Sequence, residues 1–398
     1  MVVHTSRKRT DASPQKAAER DAEFYDRIAG PYWDQVRDVI NEWWSHLPGE
    51  AQPGLCSRLL DRNSDPNVRS ALWELYLHEM LLGSGCTVEI EHRIGTRGKN
   101  PDFLVTRDGE QFVMEAIWTP QRLGDVMSST LPPQLTDAIN AVPSPNFFIS
   151  YEVARTGVGA PSQKRLTAGL TRWLASLDPN QVHAGYERGM PMPEHVWEEG
   201  GWCLAFMAFP RSPGTRGDSA SRTIGFHPPV FRFGDESGRI LNAVKKKGGK
   251  YGDLGLPFIV AVGNAAAFPD GEDTESALYG SWPPPISAGA LAFGRMTDGY
   301  WTGTYARAHS RVSGVLTVDN PAPWTWSKNT PVLWQSPHPS SLAAPILPSW
   351  ATMQLIDGRA ASGPADRPVH TALGLPQDWP FGEAFPQRPP QQLKPVSP

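Results

Sequence analysis

The sequence has few cysteines, and their arrangement excludes two ways of stabilising a fold. Only Cys56, Cys86 and Cys203 occur in 398 residues, an odd number at widely separated positions. A disulfide scaffold needs paired cysteines, and a structural zinc site of the CxxC type needs closely spaced ones. The chain must therefore build a hydrophobic core, for which its 39% of hydrophobic residues suffices.

Long apolar runs are also lacking. The longest, residues 202–209 and 256–262, have the length of buried strands, far below the roughly 18 residues of a membrane span. The first 20 residues are basic and polar, without the hydrophobic segment of a secretion signal. We expect a cytoplasmic protein that does not act at a membrane.

Neither sign of charge is in large excess. Lys and Arg total 37 and Asp and Glu total 41, which gives a net charge of -4. A globally basic nucleic-acid coat and an acidic tail are excluded, so any nucleic-acid site must be a local patch. The chain also lacks the spacings of a phosphate-binding P-loop, of HExxH and of GxSxG.

The order of patterns predicts an α/β protein with extensions at both ends. Sixteen of the 40 prolines fall in the last 78 residues, together with several tryptophans. This part of the chain is therefore predicted to be irregular. It is also the candidate surface for forming a homodimer or for binding a protein partner. The predicted segments are a disordered stretch (1–20), a helical extension (21–65), an α/β domain (66–318), an irregular packed extension (319–362) and a Pro-rich disordered tail (363–398).

Within the α/β domain, a helix over 66–82 is followed by three short strands, 86–92, 102–107 and 111–118. A glycine directly after the helix supplies its stop signal. Two later helices, 134–142 and 239–247, are each followed by a strand. Either of them could be the second helix of the core.

The second and third strands form the most informative pattern. Asp108-Gly109 lies between two apolar runs, which strongly indicates a two-residue hairpin turn. This turn sets a register in which Val105 faces Phe112 and Asp102 faces Glu115. Residues directly opposite in an antiparallel pair have Cβ atoms about 5 Å apart.

Two carboxylates at that distance destabilise a sheet unless a cation compensates them. Mg²⁺ does so, since it prefers carboxylate oxygens and keeps open water positions. Alternation places Glu115 on one face with Val113 and Ile117, where an unpaired carboxylate is costly. A solvent-exposed acidic pair, or a register shifted by one residue, is the alternative.

Two further groups could complete a site. Glu74, in an otherwise apolar stretch of the first helix, could supply a third acidic ligand or lie at the rim of the apolar stripe; Glu79 is the second choice on that helix. The run Lys245, Lys246, Lys247 and Lys250 ends the later helix. It could serve catalysis, bind nucleic-acid phosphates, or be a solvated helix end favoured by the macrodipole.

Ser70–Trp118 contains, in this order, a helix with a Glu, a strand, a strand that opens with Pro-Asp, and a strand that contains a Glu. This order resembles that of the PD-(D/E)XK phosphodiesterase superfamily, which has the restriction-endonuclease-like fold. The resemblance implies an αβββαβ core with a mixed sheet flanked by helices. It implies metal ligation by Asp102 and Glu115, by the backbone carbonyl of Ala116, and by Glu74 as the acid of the first helix.

The family's lysine is missing from its usual place, which is occupied by Ile117. Some branches of the superfamily take a residue from the second core helix instead, in a Gln-x-x-x-Tyr pattern. Lys247-x-x-x-Tyr251 is similar, so Lys247 or Lys250 is the candidate for stabilising the transition-state charge.

The resemblance implies a Mg²⁺-dependent DNA endonuclease, with Mn²⁺ as a substitute ion, suited to bacterial defence or restriction. The alternative is a catalytically silent module of the same fold, in which Ile117 marks the loss of activity and the scaffold binds nucleic acid or a partner protein.

Overall fold

The computed structural model describes residues 2–92, 100–119, 131–217, 222–225, 236–252, 254–265, 271–283, 294–302, 309, 311–338 and 340–385. Its helices are α1 (Asp21–Arg27), α2 (Pro31–His46), α3 (Gln52–Leu59), α4 (Asp65–Gly83), α5 (Pro133–Asn140), α6 (Gln163–Ala175), α7 (Pro179–Glu187), α8 (Glu236–Gly248), α9 (Gly271–Tyr279) and α10 (Val369–Ala372). Within these residues no helix combines the length and apolarity needed to cross a bilayer.

The strands form two sheets. Their bounds are β1 (Thr87–Ile90), β2 (Phe103–Arg107), β3 (Glu110–Thr119), β4 (Phe147–Arg155), β5 (Glu194–Glu199), β6 (Trp202–Pro210), β7 (Phe258–Asn264), β8 (Gly314–Asp319), β9 (Val332–Gln335), β10 (Ala351–Ile356) and β11 (Arg359–Gly363). The larger sheet has the order β1-β2-β3-β7-β8-β9-β10-β11, and the smaller one β4-β6-β5. The predicted mixed α/β class, with a sheet flanked by helices, is confirmed.

The larger sheet is mixed in direction. β1, β2 and β3 are antiparallel neighbours, whereas β7 lies parallel to both β3 and β8. β3 and β7 are therefore central strands covered on both faces. Such strands read as nearly continuous apolar runs, as Phe258–Asn264 does.

Alternation along β3 separates two hydrophobic layers. Met114 belongs to the layer formed with α4, and Val113 belongs to the layer formed with α8, which includes Val244. The indole N–H of Trp73 in α4 donates to the carbonyl of Ala261 in β7 at 3.2 Å. α4 and α8 thus pack on opposite faces of the same central strands.

Residue contacts divide the chain into two units as far as it is described. One comprises Met1–Pro14, Arg20–Gln121 and Asp235–Pro398, and the other comprises Gln15–Glu19 and Arg122–Gly234. The second unit has its own core between the smaller sheet and the helices α5 and α6. The prediction of a single domain over 66–318 missed this insertion. Because α5 belongs to the inserted unit, the helix that packs on β3 and β7 is α8.

The C-terminal region is more regular than predicted. β9, β10 and β11 extend the larger sheet, so the prediction of an irregular extension over 319–362 is wrong. Within the predicted disordered tail, Trp379 is buried and its ring stacks on that of Trp326, with the ring centroids 6.1 Å apart. The carbonyl of Trp379 accepts a hydrogen bond from the Ser327 hydroxyl. Apolar side chains spaced between the prolines anchor this segment. Residues 386–398 of that prediction lie outside the described residues.

Part of the N-terminal stretch predicted to be disordered (1–20) is instead bound to the first two helices. The backbone of His4 exchanges two hydrogen bonds with the Asn41 side chain, at 2.9 and 2.8 Å. Arg9 donates from Nε to the carbonyl of Asp26 at 2.6 Å. Specific polar contacts with α1 and α2 therefore fix a segment whose composition offered few apolar anchors.

Replacing Trp379 tests whether the C-terminal segment belongs to the folded structure. Trp379→Ala should lower the free energy of unfolding by about 3 kcal/mol, because it removes a buried, stacked indole. Phe381→Ala is the matched control, since Phe381 is 53% exposed and Trp379 only 4%. Equal denaturant midpoints for the two variants would contradict the packed arrangement.

Candidate active site

The hairpin between β2 and β3 has the predicted turn and register. Asp108 and Gly109 both have positive φ, 52° and 86°, as a type I′ turn requires. Val105 pairs with Phe112 as predicted, and Arg107 pairs with Glu110 beside the turn. The next position before Phe103–Met114 brings Asp102 opposite Glu115, and the Ala116 N–H donates to Asp102 Oδ2 at 2.7 Å.

Glu115 is completely buried in the middle of the sheet. It lies beside Val260 of β7 and on the same side of β3 as Val113, which packs against α8. A carboxylate in this position must be paired, because taking an isolated ion out of water costs roughly several kcal/mol. The alternative of a solvent-exposed acidic pair is therefore excluded for Glu115.

Two lysines at the end of α8 supply the compensating charge. Lys247 follows the buried Ala243 and Val244 by one helical turn, so it leaves the helix on the face toward the sheet. Its Nζ lies 2.6 Å from Glu115 Oε2 and 3.3 Å from Asp102 Oδ2. Lys250 Nζ lies 2.9 Å from Glu115 Oε1.

The four lysines of the run thus divide into two kinds. Lys247 and Lys250 contact the acids, whereas Lys245 and Lys246 are exposed. Helical periodicity explains the difference, since residues adjacent in sequence leave a helix in different directions. The alternative of a solvated helix end therefore fits Lys245 and Lys246, but not Lys247 and Lys250.

Tyr251 is a further member of the group. Its phenolic oxygen contacts Glu115 Oε1 and lies 2.8 Å from the carbonyl oxygen of Asn100. The spacing Lys247-x-x-x-Tyr251 had pointed to this tyrosine by resemblance, although no role was assigned to it. Glu115 is consequently held by two ammonium groups and one hydroxyl.

The two acids differ in how readily they take up a proton. Burial, followed by the charge of Glu115, raises the pKa of Asp102 to about 6. Burial also opposes ionisation of Glu115, but Lys247 and the hydrogen bonds from Lys247, Tyr251 and Lys250 outweigh it and lower the pKa of that carboxyl. Lys247 has a raised pKa, because both carboxylates overcome the burial that disfavours its charge. Glu115 is thus ionised and paired with the ammonium groups of Lys247 and Lys250. Asp102 is the more solvent-exposed of the two acids.

The remaining predicted ligands are placed differently. Glu74 forms a two-pronged ion pair with Arg58, at 2.5 Å for each oxygen, and does not contact Lys247 or the two acids. Glu79, the second choice on α4, is buried and contacts His46 and His78. Among the described residues, no group of three or more acidic, His or Cys side chains converges at one point.

The donor set nevertheless has the chemistry that Mg²⁺ prefers. Asp102 and Glu115 offer carboxylate oxygens from neighbouring strands, and Ala116, whose N–H is bonded to Asp102, follows Glu115 directly and could add its backbone carbonyl. All are hard oxygen ligands. An ion here would compete with Lys247 for Glu115, because both need the same oxygens.

The chain matches no protein-family model, no curated protein and no solved structure. Its function must therefore be inferred from the residues that the fold brings together.

Removing the shared ammonium tests how the acids are held. Lys247→Met should lower the free energy of unfolding by at least about 2 kcal/mol, because it leaves a buried carboxylate short of its partner. Adding Asp102→Asn should recover part of that loss, because one of the two facing charges is gone.

Lys246→Met is the matched control, since it removes an exposed ammonium from the same helical turn and should change stability by less than about 0.5 kcal/mol. Urea denaturation measures all four proteins. If Lys247→Met were as stable as Lys246→Met, the shared ammonium would not be what compensates the buried acid.

Proposed function

We propose that the protein is a metal-dependent phosphodiester hydrolase of the PD-(D/E)XK type that cleaves DNA. The observation that carries this proposal is that the Lys247 ammonium lies within hydrogen-bond distance of both acids, 3.3 Å from Asp102 Oδ2 and 2.6 Å from Glu115 Oε2. Two acids and one lysine are the side chains on which this class of enzyme depends.

The position of Lys247 supports a relocated catalytic lysine. Ile117 occupies the family's lysine position, two residues after Glu115 and on the same side of β3. α8 packs on that side, and Lys247 reaches Glu115 from it at 2.6 Å. The missing strand lysine is thus replaced by an ammonium that approaches the same carboxylate from a helix.

The order of elements is compatible with the αβββαβ core that the resemblance implies. α4 precedes β1, β2 and β3, and α8 precedes β7, which lies parallel to β3. The second unit is inserted between β3 and α8. The strands β8 to β11 enlarge the sheet beyond such a core.

Asp102, Glu115 and the Ala116 carbonyl are the groups that would hold Mg²⁺ or Mn²⁺. When bound, the ion would polarise a phosphate and lower the pKa of a water molecule. The chain's own contribution is a fixed geometry for the carboxylates and an ammonium, Lys247, that stabilises negative charge on the phosphate. Lys250 and Tyr251 keep Glu115 in place, and the exposed Lys245 and Lys246 suit contact with backbone phosphates.

One observation favours a silent binding module as the second candidate. Glu115 already has Lys247, Lys250 and Tyr251 as partners, so its charge is satisfied without a metal. A silent module would show no rise in melting temperature with Mg²⁺ that depends on Asp102 and Glu115. A nuclease would show one, because an ion that binds only the folded state stabilises it.

Cleavage of supercoiled plasmid DNA tests the proposal. The wild type should nick or linearise the plasmid with Mg²⁺ or Mn²⁺ and lose this activity in EDTA. Asp102→Asn and Glu115→Gln should each lower the rate about 100-fold or more, as loss of a group that acts on the transition state does.

Lys328→Met is the control, because Lys328 is an exposed lysine outside the site and its loss should leave cleavage unchanged. Melting curves verify that each variant is folded at the assay temperature. Equal cleavage by the wild type and both acid variants would refute the assignment.

A further inference from the structure

Arg58 and Glu74 form a charged pair on the α4 side of the sheet. Arg58 belongs to α3 and Glu74 to α4, and each terminal nitrogen of the guanidinium lies 2.5 Å from one carboxylate oxygen. This parallel geometry is the strong, directional form of an arginine ion pair. It orients the guanidinium closely.

The helix α4 carries this pair to the vicinity of the acids. Trp73, next to Glu74, donates to the carbonyl of Ala261. Ala261 is the strand partner of Ala116, whose N–H is bonded to Asp102. Arg58 and Glu74 therefore belong to the helices on the α4 side of the strands that carry Glu115 and Ala116.

Electrostatic coupling agrees with that placement. The hydrogen bonds that Arg58 donates to Glu74 are the largest influence on the pKa of Arg58, which is raised, and the charge of Asp102 acts in the same direction. Arg58 is thus a cation within the field of the candidate site.

The guanidinium remains accessible to a ligand. The Arg58 side chain is 38% exposed and that of Glu74 is 24% exposed. A guanidinium has five N–H donors, and the two bonds to Glu74 account for two of them. The bidentate pair also links α3 to α4, and this structural role is compatible with ligand binding by the remaining donors.

We propose that Arg58 binds a phosphate of the nucleic-acid backbone at this site, from the face of the sheet opposite the lysines of α8. The inference rests on the proposed function and adds to it a substrate-binding residue. Glu74 is then the group that orients the guanidinium, not a third metal ligand. Cations on both faces would hold phosphates on either side of the acids.

The test is binding of the full-length protein to a short fluorescein-labelled DNA duplex in EDTA, followed by fluorescence anisotropy at increasing KCl. Arg58→Ala should weaken binding and lower the slope of log affinity against log salt by about 1, which corresponds to one lost phosphate contact. Arg58→Lys should keep the slope and recover part of the affinity, because it retains the charge but not the fork.

Glu74→Gln separates a phosphate contact of Arg58 from a purely structural link between α3 and α4, here called a clasp. A phosphate-binding Arg58 predicts that Glu74→Gln binds DNA at least as tightly as the wild type, because a competing negative charge is removed. A clasp predicts that Arg58→Ala and Glu74→Gln weaken binding equally. Arg62→Ala is the control, since Arg62 is 61% exposed and pairs with Asp26; it should leave the salt slope unchanged.

Binding with a wild-type slope in Arg58→Ala would overturn the role of Arg58 while leaving the nuclease proposal standing. Equal weakening by Arg58→Ala and Glu74→Gln would also overturn it, in favour of a clasp. No binding of the duplex by the wild type would overturn this role too. The nuclease proposal is decided separately, by plasmid cleavage in the acid variants.

Discussion

The buried carboxylate of Glu115 is the constraint around which the site is arranged. Its side chain has no exposed surface, so its charge must be neutralised inside the sheet. Lys247, Lys250 and Tyr251 all meet it from the end of α8 and the residues that follow. The position of α8 on the central strands is therefore tied to the electrostatics of one residue. An interior charge retained at this cost suggests a chemical role.

The part of the site set by local rules could be predicted from the sequence. Asp108-Gly109 fixes the turn, the turn fixes the register, and the register brings Asp102 opposite Glu115. Strict alternation then assigns Glu115 to the face of β3 that α8 covers. Lys247 was predicted as well, through the resemblance of Lys247-x-x-x-Tyr251 to the Gln-x-x-x-Tyr pattern of some family branches. Each of these inferences needed only a few neighbouring residues.

Contacts between distant elements could not be predicted in the same way. The inserted unit interrupts the chain between β3 and α8. The strands after residue 319 and the packed tail depend on burial of Trp326 and Trp379 among partners far away in sequence. Glu74 was a candidate third ligand, but its partner is Arg58 from α3, a helix inside the extension that was predicted as helical only as a whole. Which charged residue pairs with which is decided by how the helices cross.

We propose above all that the Lys247 ammonium from α8 takes over the task of the absent strand lysine. The single-turnover rate of DNA cleavage in Lys247→Met and in the double variant Ile117→Lys/Lys247→Met, each checked for folding, tests this directly. Lys247→Met should lose about 100-fold or more in rate, and a lysine restored at position 117 should recover a measurable part of it. Cleavage by folded Lys247→Met at the wild-type rate would contradict the claim.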